Sequence, residues 1–206
     1  MAAFTLLPDI LQAVMRGQPR ALSDPHYPGW HLAPVTGLLN DPNGFIHFAG
    51  RYHLFYQWNA LGCQHQHKCW GHWSSADLLH WQHEPIALMP DEEYDRSGCY
   101  SGSAVDDNGA LTLIYTGNVK FADGARTAWQ CLAVQNAQGG FDKLGPVIAL
   151  PTAIPDTCAT RKCGGMASTG SWCWVRRINK SRAKCCCCAR RTCVSGTIWA
   201  RLPAAA

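Results

Sequence analysis

The sequence predicts an all-β fold with one short helix at its beginning and an irregular tail at its end. Between positions 45 and 135, short runs of β-branched and aromatic residues alternate with clusters of Gly, Asn and Asp. These turn signals return about every eight to twelve residues, the spacing of a β-sandwich, barrel or propeller. Helical spacing of apolar residues occurs near the N-terminus instead. Periodicity does not choose among the three β architectures.

The helix is predicted over residues 4–16, and a proline-rich loop over 24–34 follows it. Asp9 favours a helix start nearby. We expect a short helix packed on the edge of a domain, because four apolar residues recur there at helical spacing: Leu7, Ile10, Leu11 and Val14.

The remaining elements are strands. The first two flank Ala49-Gly50, a two-residue hairpin connection. A second strong turn occupies residues 106–109, and the strand over 81–84 should lie at a sheet edge. The predicted strands are 45–48, 51–57, 70–74, 81–84, 99–105, 111–116 and 129–135.

The composition changes sharply near residue 151. Residues 1–151 hold 8 Lys/Arg and 13 Asp/Glu, a net charge of −5, whereas residues 152–206 hold 10 Lys/Arg and one acidic residue, a net charge of +9. Eight of the twelve cysteines lie in this second piece, four of them consecutive at 185–188. The overall charge of +4 therefore does not indicate a nucleic-acid partner. We divide the chain into a helix and loop (1–29), a β domain (30–151) and an aberrant Cys/Arg-rich tail expected to be disordered (152–206).

The N-terminal segment lacks the basic region of a secretory signal peptide, and Pro8 and Asp9 interrupt its apolar stretch. No apolar run reaches the roughly 18 residues of a membrane span. The four cysteines before residue 152 are ordinary for a reducing compartment. The sequence therefore predicts a cytoplasmic protein with no membrane partner.

The segment from Trp30 to Gly44 reads WHLAPVTGLLNDPNG and precedes a hairpin pattern that ends in HLFYQ. Asp41 stands among turn formers directly before a strand, so its carboxylate should be presented at a strand end. Strand ends are where β folds usually place active sites. The plain alternative is an Asp that only caps a turn.

Two further blocks accompany it, WGHWSSADLLHW at 70–81 and GCYSGSA at 98–104. Together the three blocks resemble glycoside hydrolase family 32, the invertases, fructanases and sucrose-6-phosphate hydrolases. The resemblance covers about residues 25–151 and is strongest to the bacterial sucrose-6-phosphate hydrolases, which are intracellular.

The resemblance implies a five-bladed β-propeller, of which residues 30–151 would supply about two blades. It implies that Asp41 is the nucleophile of a retaining β-fructofuranosidase, which forms a fructosyl-enzyme that water releases. The substrate would be a small sugar, namely sucrose 6-phosphate, sucrose or a fructan, and no metal or cofactor is required. The implied substrate-binding residues are Leu38, Leu39, Asn40, Asp41, Gln57, Tyr100 and Ser101.

The chain departs from the family pattern in two respects. His65 stands where many members carry a substrate-facing Trp, inside a Cys- and His-containing loop (63–69) whose spacing fits no tetrahedral zinc pattern well. The Arg-Asp-Pro motif that would stabilise the transition state, and the Glu-Cys motif that would supply the acid/base, do not occur. We therefore expect this chain to be inactive. The rival interpretation is a non-catalytic sugar-binding fragment or pseudogene product.

The tail has an explanation in the genetic code. A nucleotide sequence compatible with residues 152–167, read in a neighbouring frame, encodes an Arg-Asp-Pro motif in its expected setting. We hypothesise that residues 152–206 are the out-of-frame product of one deleted nucleotide, either a true allele or a sequencing error. A shifted frame also accounts for the cysteine run and for the basic residues, which would otherwise suggest a metal–thiolate cluster or nucleic-acid binding.

Overall fold

The computed structural model describes residues 6–149, 171–179, 182–189 and 197–201, with side-chain surroundings over residues 7–147. This part of the chain contains one helix, α1 Leu6–Ser23, and eleven strands. The strands are β1 Leu38–Phe48, β2 Arg51–Asn59, β3 Cys69–Ser75, β4 Trp81–Leu88, β5 Cys99–Asp106, β6 Leu111–Lys120, β7 Arg126–Gln135, β8 Phe141–Ala149, β9 Ser171–Asn179, β10 Arg182–Ala189 and β11 Thr197–Arg201.

The strands form antiparallel sheets in which sequence neighbours pair. The first sheet has the order β1-β2-β3-β4 and the second the order β5-β6-β7-β8. Each is a four-stranded meander, the form of a propeller blade. The predicted all-β fold is confirmed, and the two meanders match the two expected blades. The predicted edge strand is β4, which ends the first sheet.

The hairpin between β1 and β2 is also confirmed. Phe48 pairs with Arg51, so the connection consists of two residues. Ala49 has φ 48° and Gly50 has φ 76°. Positive φ at both central positions is the signature of a type I′ turn, whose twist matches that of the flanking strands.

Helix α1 extends beyond its predicted end at residue 16. It continues through Gly17 and Pro19, both poor helix formers. Tertiary packing overrides this propensity, because a Cβ added to Gly17 would lie 2.1 Å from Cγ2 of Thr36. Ile10 is the buried anchor of the predicted apolar face, at 1% exposure, whereas Leu11 is 52% exposed. The helix therefore packs on the first sheet through Ile10.

The core has two clusters. One lies where the two meanders meet, around Phe55, Trp70 and Tyr115, and the other joins α1 to the first sheet around Tyr56 and Trp58. Apolar burial in both is the main stabilising contribution to such a fold. Among the described residues, no helix has the length and apolar character needed to cross a bilayer.

Three segments of the tail are strands, which corrects the prediction of an irregular tail at these positions. Strands β9, β10 and β11 form an antiparallel sheet in the order β11-β10-β9. The physical reason is β propensity, since these segments contain tryptophan, valine and isoleucine. The proposed boundary near residue 151 and the rest of the tail lie outside the described residues.

Candidate active site

Asp41 lies inside β1 rather than in a turn before it, which corrects the sequence prediction. The register with β2 advances from Leu39 opposite Trp58 to Pro42 opposite Tyr56. Asn40 and Asp41 therefore share one position on β2, that of Gln57, in a β-bulge. Proline offers no N–H to the ladder, which suits the edge of the sheet, where β1 lies.

Ser101 lies in a second bulge. On β5, Tyr100 pairs with Thr116 and Gly102 with Tyr115, so Ser101 is the additional residue. A bulge redirects the side chain that it contains. Asp41 and Ser101 are both presented in this way, one from the first strand of each meander.

The two bulges bring three predicted residues into one hydrogen-bonded chain. The Ser101 hydroxyl donates to Oδ2 of Asp41 at 2.5 Å. Nε2 of Gln57 donates to Oγ of Ser101, also at 2.5 Å. The remaining surface of Asp41 is exposed. The result is an accessible carboxylate whose direction is set by a hydroxyl.

Asn43, which the sequence did not single out, ties the two strands together. Its Nδ2 donates to the backbone carbonyl of Asp41 at 3.1 Å, and its Oδ1 accepts from the backbone N–H of Gly102 at 3.3 Å. The side chain is 6% exposed. Gly102 has no room for a side chain, because a Cβ there would lie 1.9 Å from the carbonyl oxygen of Ile114.

Asn40 is adjacent to Asp41, but its side-chain amide contacts His65 rather than Ser101 or Gln57. Its Nδ2 lies 3.4 Å from Nδ1 of His65. Its Oδ1 is buried and has no hydrogen-bond partner among the described residues. The role of Asn40 in substrate binding stays a prediction.

Leu38 and Leu39 contribute to the pairing and packing of β1 rather than polar groups to the site. Leu38 pairs with Asn59 at the start of the β1–β2 ladder. Leu39 packs on the aromatic cluster of Tyr56 and Trp58. The structure thus shows these two leucines holding β1 in place, and their role in substrate binding stays a prediction.

Lys68 is a second residue that the sequence did not single out. It is 2% exposed, and its Nζ has no hydrogen-bond partner within the described part of the chain. Burial lowers the pKa of Lys68, and the nearby Asp41 carboxylate opposes that shift. The only sequence signal for Lys68 was its position between the block that ends at Gln57 and the block that begins at Trp70. Its burial could not be predicted, because it depends on packing against β5.

Tyr100 lies beneath a cation. Cζ of Arg126 is 5.1 Å from the centre of the Tyr100 ring, within the range of a cation–π contact. Nε of Arg126 donates to Oδ1 of Asn118. No sequence motif contains Arg126, so no signal pointed to it.

Within the described residues, no hydrogen bond links Asp41 to a second carboxyl group. Glu84 accepts a hydrogen bond from Ser74, and Glu93 pairs with Arg96. A retaining glycosidase needs a second carboxyl group about 5–5.5 Å from the nucleophile. In the same part of the chain, no group of three or more His, Cys, Asp or Glu is arranged to hold a metal ion.

The family model described as the N-terminal domain of glycosyl hydrolases family 32 matches residues 31–162, more than half of the chain. The chain belongs to glycosyl hydrolase family 32. Among curated family members, it is 80% identical over 145 residues to a sucrose-6-phosphate hydrolase of Salmonella typhimurium, a match that covers 70% of this chain. The chain spans about a third of that relative's length (31%).

Solved structures of family 32 agree with the fold. A sucrose-6-phosphate hydrolase from Lactobacillus gasseri is 31% identical with a TM-score of 0.66, over 87% of this chain and 34% of that one. A β-fructofuranosidase from Bombyx mori is 30% identical with a TM-score of 0.66, over 89% of this chain and 39% of that one. The chain is thus similar to the N-terminal part of larger family 32 proteins.

Proposed function

We propose that this chain carries the nucleophile half of a β-fructofuranosidase that acts in sucrose catabolism in the cytoplasm. Its substrate would be sucrose 6-phosphate or sucrose, cleaved at the β-fructofuranosidic bond by a retaining mechanism. The observation that carries the proposal is the exposed Asp41 carboxylate, held by Ser101 and presented by a bulge. The names of the similar hydrolases support the substrate class.

The geometry suits covalent catalysis. Asp41 would attack the anomeric carbon of the fructosyl unit, and a second carboxyl group would protonate the leaving oxygen and later activate water. The hydroxyl of Ser101 fixes one carboxylate oxygen, so the other is directed toward substrate. Asn40 and Gln57 would hold sugar hydroxyls, and Tyr100 would supply an apolar face.

The chain as it stands should be inactive. The acid/base and transition-state motifs are absent from its sequence, and loss of a general acid alone costs about 10²- to 10⁴-fold in rate. We further propose that residues 152–206 are the out-of-frame continuation of the domain formed by residues 30–151. Restoring the frame would return the Arg-Asp-Pro motif.

Hydrolysis of sucrose and sucrose 6-phosphate by the 206-residue chain and by a frame-restored chain tests the proposal. We expect release of fructose from the restored chain alone, with the fructosyl configuration retained in a methanol-trapping experiment followed by NMR. Asp41→Asn should lower the rate by about 10⁴-fold or more. Asp9→Asn, an exposed carboxylate on α1, is the matched control. Hydrolysis by the 206-residue chain, or an active Asp41→Asn variant, would contradict the proposal.

A further inference from the structure

Two cations lie at the same end of the meanders as the nucleophile. Successive antiparallel strands run in opposite directions. The odd-numbered strands β1, β3, β5 and β7 therefore begin at the end of the meanders where β2 and β6 finish. Lys68 immediately precedes β3, and Arg126 is the first residue of β7. Asp41 and Tyr100 belong to the same end.

The ammonium group of Lys68 is buried and has no hydrogen-bond acceptor within the described part of the chain. A buried ammonium without a hydrogen-bond acceptor is unfavourable, and proteins normally pair such a group. Its backbone is fixed against the second meander, because its carbonyl accepts from the N–H of Cys99 at 2.8 Å. Its stem lies near the Tyr100 ring, since both flank Gly98: a Cβ added there would lie 3.0 Å from Cβ of Lys68 and 2.8 Å from Cε1 of Tyr100.

The Arg126 side chain is fixed by two contacts, but no carboxylate forms an ion pair with it among the described residues. Its guanidinium contacts the Tyr100 ring and donates through Nε to Asn118. None of the salt bridges among the described residues involves it. Arg96 provides a contrast, because it stacks on Phe121 at 5.4 Å but also pairs with Glu93 at 2.9 Å. The outer N–H groups of Arg126 therefore remain available for a planar, two-point contact with an anion.

We propose that Lys68 and Arg126 form an anion subsite beside Tyr100 that recognises the phosphate monoester of a sugar-phosphate substrate. Arg126 binds the phosphate oxygens directly. Lys68 acts through space, and its charge offsets the Asp41 carboxylate that would otherwise repel a dianion. The inference rests on the proposed function, because it selects sucrose 6-phosphate over sucrose as the substrate.

Calorimetric titration of the 206-residue chain with glucose 6-phosphate, glucose and inorganic phosphate tests the subsite. We expect saturable binding of glucose 6-phosphate that is tighter than that of either other ligand. Arg126→Gln should weaken it about tenfold or more, the usual effect of losing a charge-assisted hydrogen bond. Lys68→Met should weaken it while raising the unfolding temperature, because it removes a buried ammonium group that has no hydrogen-bond acceptor among the described residues. Arg96→Gln is the matched control and should leave binding unchanged.

Each other result overturns the inference. Absence of glucose 6-phosphate binding, or equal binding by Arg126→Gln, removes the subsite. Inorganic phosphate that binds as tightly as glucose 6-phosphate would show a free-phosphate site instead. The proposed function fails separately, since hydrolysis by the frame-restored chain depends on Asp41. A restored chain that cleaves sucrose and sucrose 6-phosphate with equal kcat/KM refutes the subsite alone.

Discussion

Replacing Lys143 by methionine should lower the free energy of unfolding by about 3 kcal/mol. Nζ of Lys143 lies 2.6 Å from Oδ2 of Asp95 and 2.5 Å from Oδ1 of Asp91, and it also donates to the carbonyl of Met89. Asp95 is fully buried and the Lys143 side chain is 11% exposed. The pair joins β8 to the loop that leads into β5.

The size of the expected loss in the free energy of unfolding depends on the hydrogen bonds that Asp95 keeps after Lys143 is replaced. Removing one member of a buried ion pair costs about 3–5 kcal/mol, because the other charge remains in an apolar surrounding. Asp95 would still accept from the Tyr115 hydroxyl at 2.8 Å and from the N–H of Glu92 at 3.0 Å. These two donors place the expected effect at the lower end of that range.

Urea denaturation followed by tryptophan fluorescence measures the effect. Arg96→Met is the control, because its pair with Glu93 is exposed, with side chains 46% and 85% accessible, and such pairs contribute less than about 1 kcal/mol. Combining Lys143→Met with Asp95→Asn should cost less than the sum of the two single changes, since the stranded charge is then removed. Equal effects for Lys143→Met and Arg96→Met would refute the reasoning.

Two further predictions concern pH and backbone packing. Burial, with smaller contributions from two neighbouring imidazoles, lowers the pKa of His72 from 6.5 to about 3. Below pH 6.5 the unfolded chain therefore takes up a proton at His72 that the folded chain does not. The free energy of unfolding should fall as the pH falls, by about 2 kcal/mol at pH 5. Equal urea midpoints at pH 7 and pH 5 would contradict this. Gly102→Ala should cost at least about 2 kcal/mol, because its Cβ would collide with the β6 backbone, whereas Gly29→Ala, with open space around it, should be nearly neutral in the same assay.

Local chemistry made part of the fold predictable. The Ala49-Gly50 turn needed only the conformational preferences of two residues, and the strand patterns around it needed only their β propensity. Strand β8 was missed because it contains Gly145 and Pro146, residues that weaken a strand pattern. Pro146 is tolerated there because β8 is at the edge of the second sheet.

The candidate site was predictable only as a set of motifs. The matched blocks named Asp41, Gln57 and Ser101, and the structure joins them. Their geometry was hidden, because a bulge depends on the register of two strands that meet only after folding. Lys68 and Arg126 were hidden for a related reason, since the burial of one and the stacking of the other arise from contacts between distant segments.

The Asn43 side chain couples the orientation of Asp41, the proposed nucleophile, to the position of the two meanders relative to each other. Asn43 holds the backbone of Asp41 with one end of its amide and the backbone of Gly102 with the other. Any small separation of β1 from β5 therefore reorients the carboxylate while each meander keeps its own ladder. In the frame-restored chain, we therefore expect activity to be lost at a milder perturbation than secondary structure, so an intact circular dichroism spectrum would not show that the active site is intact.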